Sequence, residues 1–66
     1  MKAKELLKKL KRAGATVIPQ RGKGSHCLVK FQGRSATVPF HGDTDIGSHL
    51  IKKICQQLGL DSKNIL

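Results

Sequence analysis

Apolar side chains fall at Ala3, Leu6, Leu7 and Leu10, and lysines fill most of the positions between them, which is the spacing of a single helical face. This predicts an amphipathic helix over residues 3–13, stopped by Gly14. Residues 15–19 switch to small and β-branched side chains and run into Gln20, Arg21, Gly22, Lys23 and Gly24, which reads as a strand followed by a basic, glycine-containing loop. Over residues 25–32 the period becomes two. Cys27, Val29 and Phe31 are expected to face the core, with His26, Leu28 and Lys30 facing away from it. Gly33 and Arg34 signal a compact turn, and residues 35–39 supply a third strand with Ala36 and Val38 inward. The acidic loop Asp43, Thr44, Asp45 suits a helix N-terminus and its cap, so a second helix is expected to begin near Ile46. Leu50, Ile51, Ile54 and Leu58 form its apolar stripe with Cys55 at the border, and Gly59-Leu60 reads as a Schellman stop. Residues 61–66 carry no clear pattern.

The order helix, three strands, helix predicts an α+β fold of α-β-β-β-α type, with a three-stranded antiparallel sheet and both helices on one of its faces. The other face stays open. That layout is the one used by double-stranded-RNA-binding domains, where shape and backbone contacts dominate recognition. A chain of 66 residues has room for one such domain, spanning residues 1–66, and for a thin core.

Charge narrows the partners. Thirteen Lys and Arg stand against four Asp and Glu, a formal net charge of +9, and Lys8, Lys9, Lys11, Arg12, Arg21, Lys23, Lys30 and Arg34 occur with no acidic residue between Leu6 and Gly42. This balance points to a polyanion, although a merely solvated basic face would have the same composition. The two cysteines, Cys27 and Cys55, have no metal-ligand spacing and no signal-peptide core precedes them, so a cytoplasmic location is expected. No apolar run approaches the ~20 residues of a membrane span, and no membrane partner is expected.

The residue inventory also limits the chemistry. Two-metal phosphodiester cleavage needs several converging carboxylates, but Glu5, Asp43, Asp45 and Asp61 are the whole supply, so neither a metal nor another cofactor is expected. Only Phe31 and Phe40 are aromatic apart from histidine, too few for reading single strands by base stacking. Histidine chemistry remains, because RNA carries its own nucleophile in the 2′-OH and needs only a base to take its proton. His26 is the candidate base, following a basic loop and facing outward. Ser25 and the backbone of Gly24 could orient the phosphate, and Arg21, Lys23 and Lys30 could attract it. His41, just after the third strand, is a candidate general acid, while His49 reads as a helix-surface residue. From spacing alone, His26 reads more readily as an ordinary exposed strand histidine and His41 as a turn histidine.

Several short motifs carry a family likeness in their order along the chain: Leu6-Leu7-Lys8-Lys9-Leu10, Ala13-Gly14-Ala15, Gly24-Ser25-His26, Val38-Pro39-Phe40-His41-Gly42 and Leu58-Gly59-Leu60. The chain resembles the HicA-type toxins, small mRNA interferases of bacterial toxin–antitoxin modules, over residues 4–60. The resemblance implies a fold like that of double-stranded-RNA-binding domains, metal-independent cleavage of mRNA, and inhibition by a HicB-type antitoxin. It places the family's essential histidine at His26. In that family a second histidine frequently follows the Gly-Ser-His tripeptide; here Cys27 stands there.

The expected reaction is deprotonation of a ribose 2′-OH by His26 and attack on the adjacent phosphorus. A non-catalytic RNA-binding module with the same basic face is the alternative, and it would tolerate loss of His26. A third reading has the basic surface meeting an acidic protein partner, with RNA contact incidental. No helix-turn-helix pattern is present, so DNA contact is expected only indirectly, through the antitoxin.

Overall fold

The computed structural model describes residues 1–19, 26–40 and 45–66. The first helix, α1 (Ala3–Arg12), forms because Ala3, Leu6, Leu7 and Leu10 lie on one stripe and are all buried. Lys9, Lys11 and Arg12 fill its last turn, where cations meet the negative end of the helix dipole. The chain then turns at Gly14, whose φ of +104° suits a residue without Cβ. The Phe31 ring packs close by, 3.5 Å from where a Cβ on Gly14 would stand.

Three strands follow, β1 (Thr16–Pro19), β2 (His26–Phe31) and β3 (Arg34–Pro39), joined as an antiparallel meander with β2 in the centre. Cys27, Val29, Ala36 and Val38 are buried on one face and share a core with both helices, as the alternation predicted. Phe31 differs: it is only partly buried, because its ring lies at the rim of the core beside Gly14.

The β2–β3 turn also differs from expectation. Its two central residues are Gln32 and Gly33, with φ of 48° and 79°, and Arg34 already begins β3. Positive φ at both positions is what a type I′ hairpin turn requires, and it matches the right-handed strand twist. Gln32 is poorly suited to that conformation, whereas asparagine tolerates it. Gln32→Asn is therefore expected to stabilise the fold by about 0.5–1 kcal/mol. A urea titration checks this, with the midpoint rising at constant slope.

The second helix, α2 (Ser48–Leu58), starts two residues later than the acidic loop suggested, with Gly47 at its N-cap and no side-chain cap. Asp45 is not the cap. Its carboxylate lies 2.7 Å from the Met1 ammonium, residue 45 forms a β-bridge with Lys2, and the Ile46 N–H donates to the Met1 carbonyl. The segment before α2 is thus tied to the start of the chain, and Ile46 is buried there. The ammonium holds the Asp45 carboxyl below its ordinary value of 3.8. The pair's contribution is present above that value and is lost as pH falls through the lowered one.

The buried stripe of α2 leaves out one of the residues expected on it. Ile51, Ile54, Cys55 and Leu58 are buried, whereas Leu50 is 38% exposed, one residue and so about 100° off the stripe. Gly59, with φ of +76°, closes α2 in the expected Schellman manner: the Leu60 N–H donates to the Cys55 carbonyl at 2.8 Å. A short 3₁₀ helix (Ser62–Asn64) follows, held by the Asp61 carboxylate accepting from the Lys63 N–H at 3.0 Å, and it delivers Ile65 into the core.

Both cysteines are free and buried. Burial pushes the Cys55 thiol up, and the Asp61 carboxylate adds to the effect. Iodoacetamide is therefore expected to label the folded chain slowly and the denatured chain fast. Rapid labelling of the native protein would contradict the packing.

Candidate active site on the open sheet face

Residues directly opposite in an antiparallel pair share a face, so the register defines what the uncovered side of the sheet presents. One row is Thr16, Lys30 and Ser35; the next is Ile18, Leu28 and Thr37; the last is His26 beside Pro39. His26 and Lys30 are exposed, while Leu28 is half-buried beside the partly exposed Ile18. The face therefore has an apolar middle with a histidine at one end and a lysine at the other.

His26 stands at the first position of β2, pointing away from the core as the alternation predicted. Its location is set by two connections. Pro19 pairs with Cys27, so the segment linking β1 to β2 leaves and rejoins the sheet at the His26 end. Pro39 pairs with His26, and Phe40 continues from it, so the chain leading toward His41 also departs from that end. Arg21, Lys23, Gly24, Ser25 and His41 themselves lie outside the described residues.

Lys30 shares the face with His26 but not its immediate surroundings. Four residues of strand separate them, about 13 Å at ~3.3 Å per residue. His26 and Lys30 thus stand toward opposite ends of β2 on the same face. His49 lies at the start of α2 and is exposed there, a helix-surface position as expected.

The described carboxylates are dispersed, and Asp43 lies outside the described residues. Glu5 lies on the outer face of α1, Asp45 pairs with the Met1 ammonium, and Asp61 caps the 3₁₀ helix. Among the described residues no group of three or more His, Cys, Asp or Glu side chains is placed to hold a metal ion. Among those residues, too, no helix is long and apolar enough to cross a membrane.

Gln32 and Arg34, not among the expected site residues, stand at the far end of β2 from His26. Both line a cavity of about 450 Å³ at the β2–β3 turn, together with Thr16, Lys30 and Ser35. Arg34 was assigned to the turn, and only the register, which seats it at the head of β3 opposite Phe31, brings it there.

The chain has recognisable relatives. A family model described as HicA toxin of bacterial toxin–antitoxin matches residues 3–60, from the start of α1 to just beyond α2. A protein of Pseudomonas fluorescens (strain Pf0-1), named probable mRNA interferase HicA, is 43% identical over 60 residues, covering 91% of this chain and 97% of that protein. No solved structure matches.

Proposed function

This chain belongs to the HicA toxin family, and we propose that it is the toxin of a toxin–antitoxin pair, an endoribonuclease that cuts mRNA without a metal ion. The observation that carries the reading is His26, exposed at the start of β2 on the uncovered face of a chain of net charge +9. In the proposed reaction the His26 imidazole takes the proton of a ribose 2′-OH. The freed oxygen attacks the adjacent phosphorus, the bond from phosphorus to the 5′-oxygen breaks, and a 2′,3′-cyclic phosphate remains on the upstream fragment.

The leaving 5′-oxygen needs a proton. His41 is the candidate donor, since the strand that leads to it is paired with His26 through Pro39. Gly24 and Ser25, adjoining His26 in sequence, would orient the phosphate, with Arg21 and Lys23 adding attraction. The small supply of carboxylates, four in the chain, supports a metal-free route. Cleavage of a defined mRNA is therefore expected to persist under excess chelator. Activity lost on chelation and restored by a divalent cation would overturn that part of the proposal.

A strongly basic chain with an open functional face suits a large, acidic, complementary cover, here a HicB-type antitoxin in the cytoplasm. DNA contact by the pair would belong to the antitoxin. The antitoxin is expected to lie over His26 or its approach and to suppress cleavage. A complex that inhibits while leaving His26 accessible would place the block elsewhere.

A further inference from the structure

A meander of three strands has two free edges, and here they are not equivalent. The hydrogen-bond phase follows from the turn. In a two-residue hairpin the flanking pair, here Phe31 and Arg34, exchanges both N–H···O bonds, so along β3 the bonded positions are Arg34, Ala36 and Val38. Ser35, Thr37 and Pro39 therefore turn their backbone groups away from β2. The two prolines agree with this phase, since neither has an N–H to give. Pro39 lies opposite His26 and Pro19 opposite Cys27, both at positions where no bond to β2 is due. Because β2 alternates its bonds between its two neighbours, the bonded positions of β1 are Thr16 and Ile18, and only Val17 of that strand has an outward N–H. On β3 both Ser35 and Thr37 have an outward N–H and C=O, both residues are exposed, and no described residue bonds to those groups. Such an edge is a template for a further strand; lysines, prolines and bulges commonly block one, but between Arg34 and Pro39 β3 carries none.

We infer that β3 is a docking edge for an extended acidic segment of a protein partner, which joins the sheet as a fourth strand. The inference rests on the reading that the chain has an acidic antitoxin. Ser35 and Thr37 together supply two N–H donors and two C=O acceptors for main-chain bonds to that segment. Charge selects the occupant. Ser35 closes the cross-strand row of Thr16 and Lys30, so the partner residue opposite it extends a row that already holds an exposed lysine, which favours a carboxylate there. A second copy of this chain is disfavoured, because pairing β3 with β3 brings together two chains of net charge +9. The location also suits inhibition. β3 is the neighbour of β2 and Pro39 pairs with His26, so a fourth strand lies two strand spacings, about 10 Å, from the backbone of β2, and the partner chain that continues from it can cover the imidazole.

The test is residue-resolved amide hydrogen exchange on the free chain and on its complex with the purified HicB-type antitoxin. In the free chain the Ala36 and Val38 amides are expected to exchange slowly and those of Ser35 and Thr37 fast. In the complex the Ser35 and Thr37 amides are expected to slow by at least about 10-fold. Thr37→Pro removes an outward N–H at a position where proline leaves the β2–β3 bonds intact, as Pro39 already does, and is expected to weaken antitoxin binding by about 10-fold. Thr37→Val keeps the N–H and is expected to bind like the parent. Exchange on the parent chain decides the matter even where Thr37→Pro does not fold. A complex in which Ser35 and Thr37 exchange as fast as in the free chain would overturn the docking edge, as would protection at Val17 in their place. So would slow exchange of both in the chain alone, whether from an opposite hydrogen-bond phase or from pairing with a second copy. The two readings fail separately: no complex at all would sink the antitoxin reading and the edge with it, whereas an inhibited complex without the protection would sink the edge alone.

Discussion

His26→Ala is expected to lower the rate of RNA cleavage by about 10²–10⁴-fold, the usual contribution of a positioned general base, while RNA binding is retained. Binding should survive because the thirteen Lys and Arg that attract a polyanion are distributed over the chain and do not depend on the imidazole. Stability should survive as well. His26 is an exposed residue at the first position of β2 and outside the core, so its truncation opens no cavity. Single-turnover cleavage, a binding isotherm and a urea titration on the same preparation separate these effects. A variant that binds and cuts like the parent would show His26 to be an ordinary strand residue and would favour a different base or a non-catalytic binding module.

The largest effect on folding is expected at Leu10. Its side chain is fully buried on α1 within the core shared by the sheet and α2, so Leu10→Ala removes packed methyl groups and leaves a cavity, at a cost of about 2–5 kcal/mol. Domains of this kind have total stabilities of about 5–15 kcal/mol, and a chain of this length has little surplus area to bury. At about 4–8 °C per kcal/mol, the melting temperature should fall by roughly 10 °C or more, as a thermal melt followed by circular dichroism would record. Leu50→Ala is the internal comparison. Leu50 is 38% exposed, and its truncation should cost well under about 1 kcal/mol. Similar losses at both positions would contradict the placement of α2.

That contrast between Leu10 and Leu50 marks where the sequence was legible. The α1 stripe and the alternation of β2 could be read directly, because a period of 3.6 or 2 repeated over several residues encodes burial without help from the rest of the chain. The end of α2 was legible for a local reason, since Gly59 is the residue that a left-handed C-cap favours. Its beginning was not. Asp45 looked like a cap, but a distant group, the Met1 ammonium, takes its carboxylate, and no local pattern announces a contact across 44 residues. The same holds for Ile65, whose burial depends on the 3₁₀ turn folding back onto the core.

The candidate site divides along the same line. His26 could be placed on the outward face from alternation, and its chemical role came from the elimination of metal and stacking chemistries together with the family likeness. Lys30 could be assigned to that face but not to its distance from His26, which depends on counting strand residues in the folded register. Arg34 was hidden because one residue of turn position decides whether it sits at a hairpin tip or at the head of β3 beside Gly59.

If this chain cuts RNA through the RNA's own 2′-OH, the ends of the fragments record that step. A defined mRNA should be incubated with the purified chain in the presence of chelator and the new termini mapped. A 2′,3′-cyclic phosphate on the upstream fragment and a 5′-hydroxyl on the downstream one are expected; a 5′-phosphate downstream would mean that water or another nucleophile attacked, and would contradict the 2′-OH route.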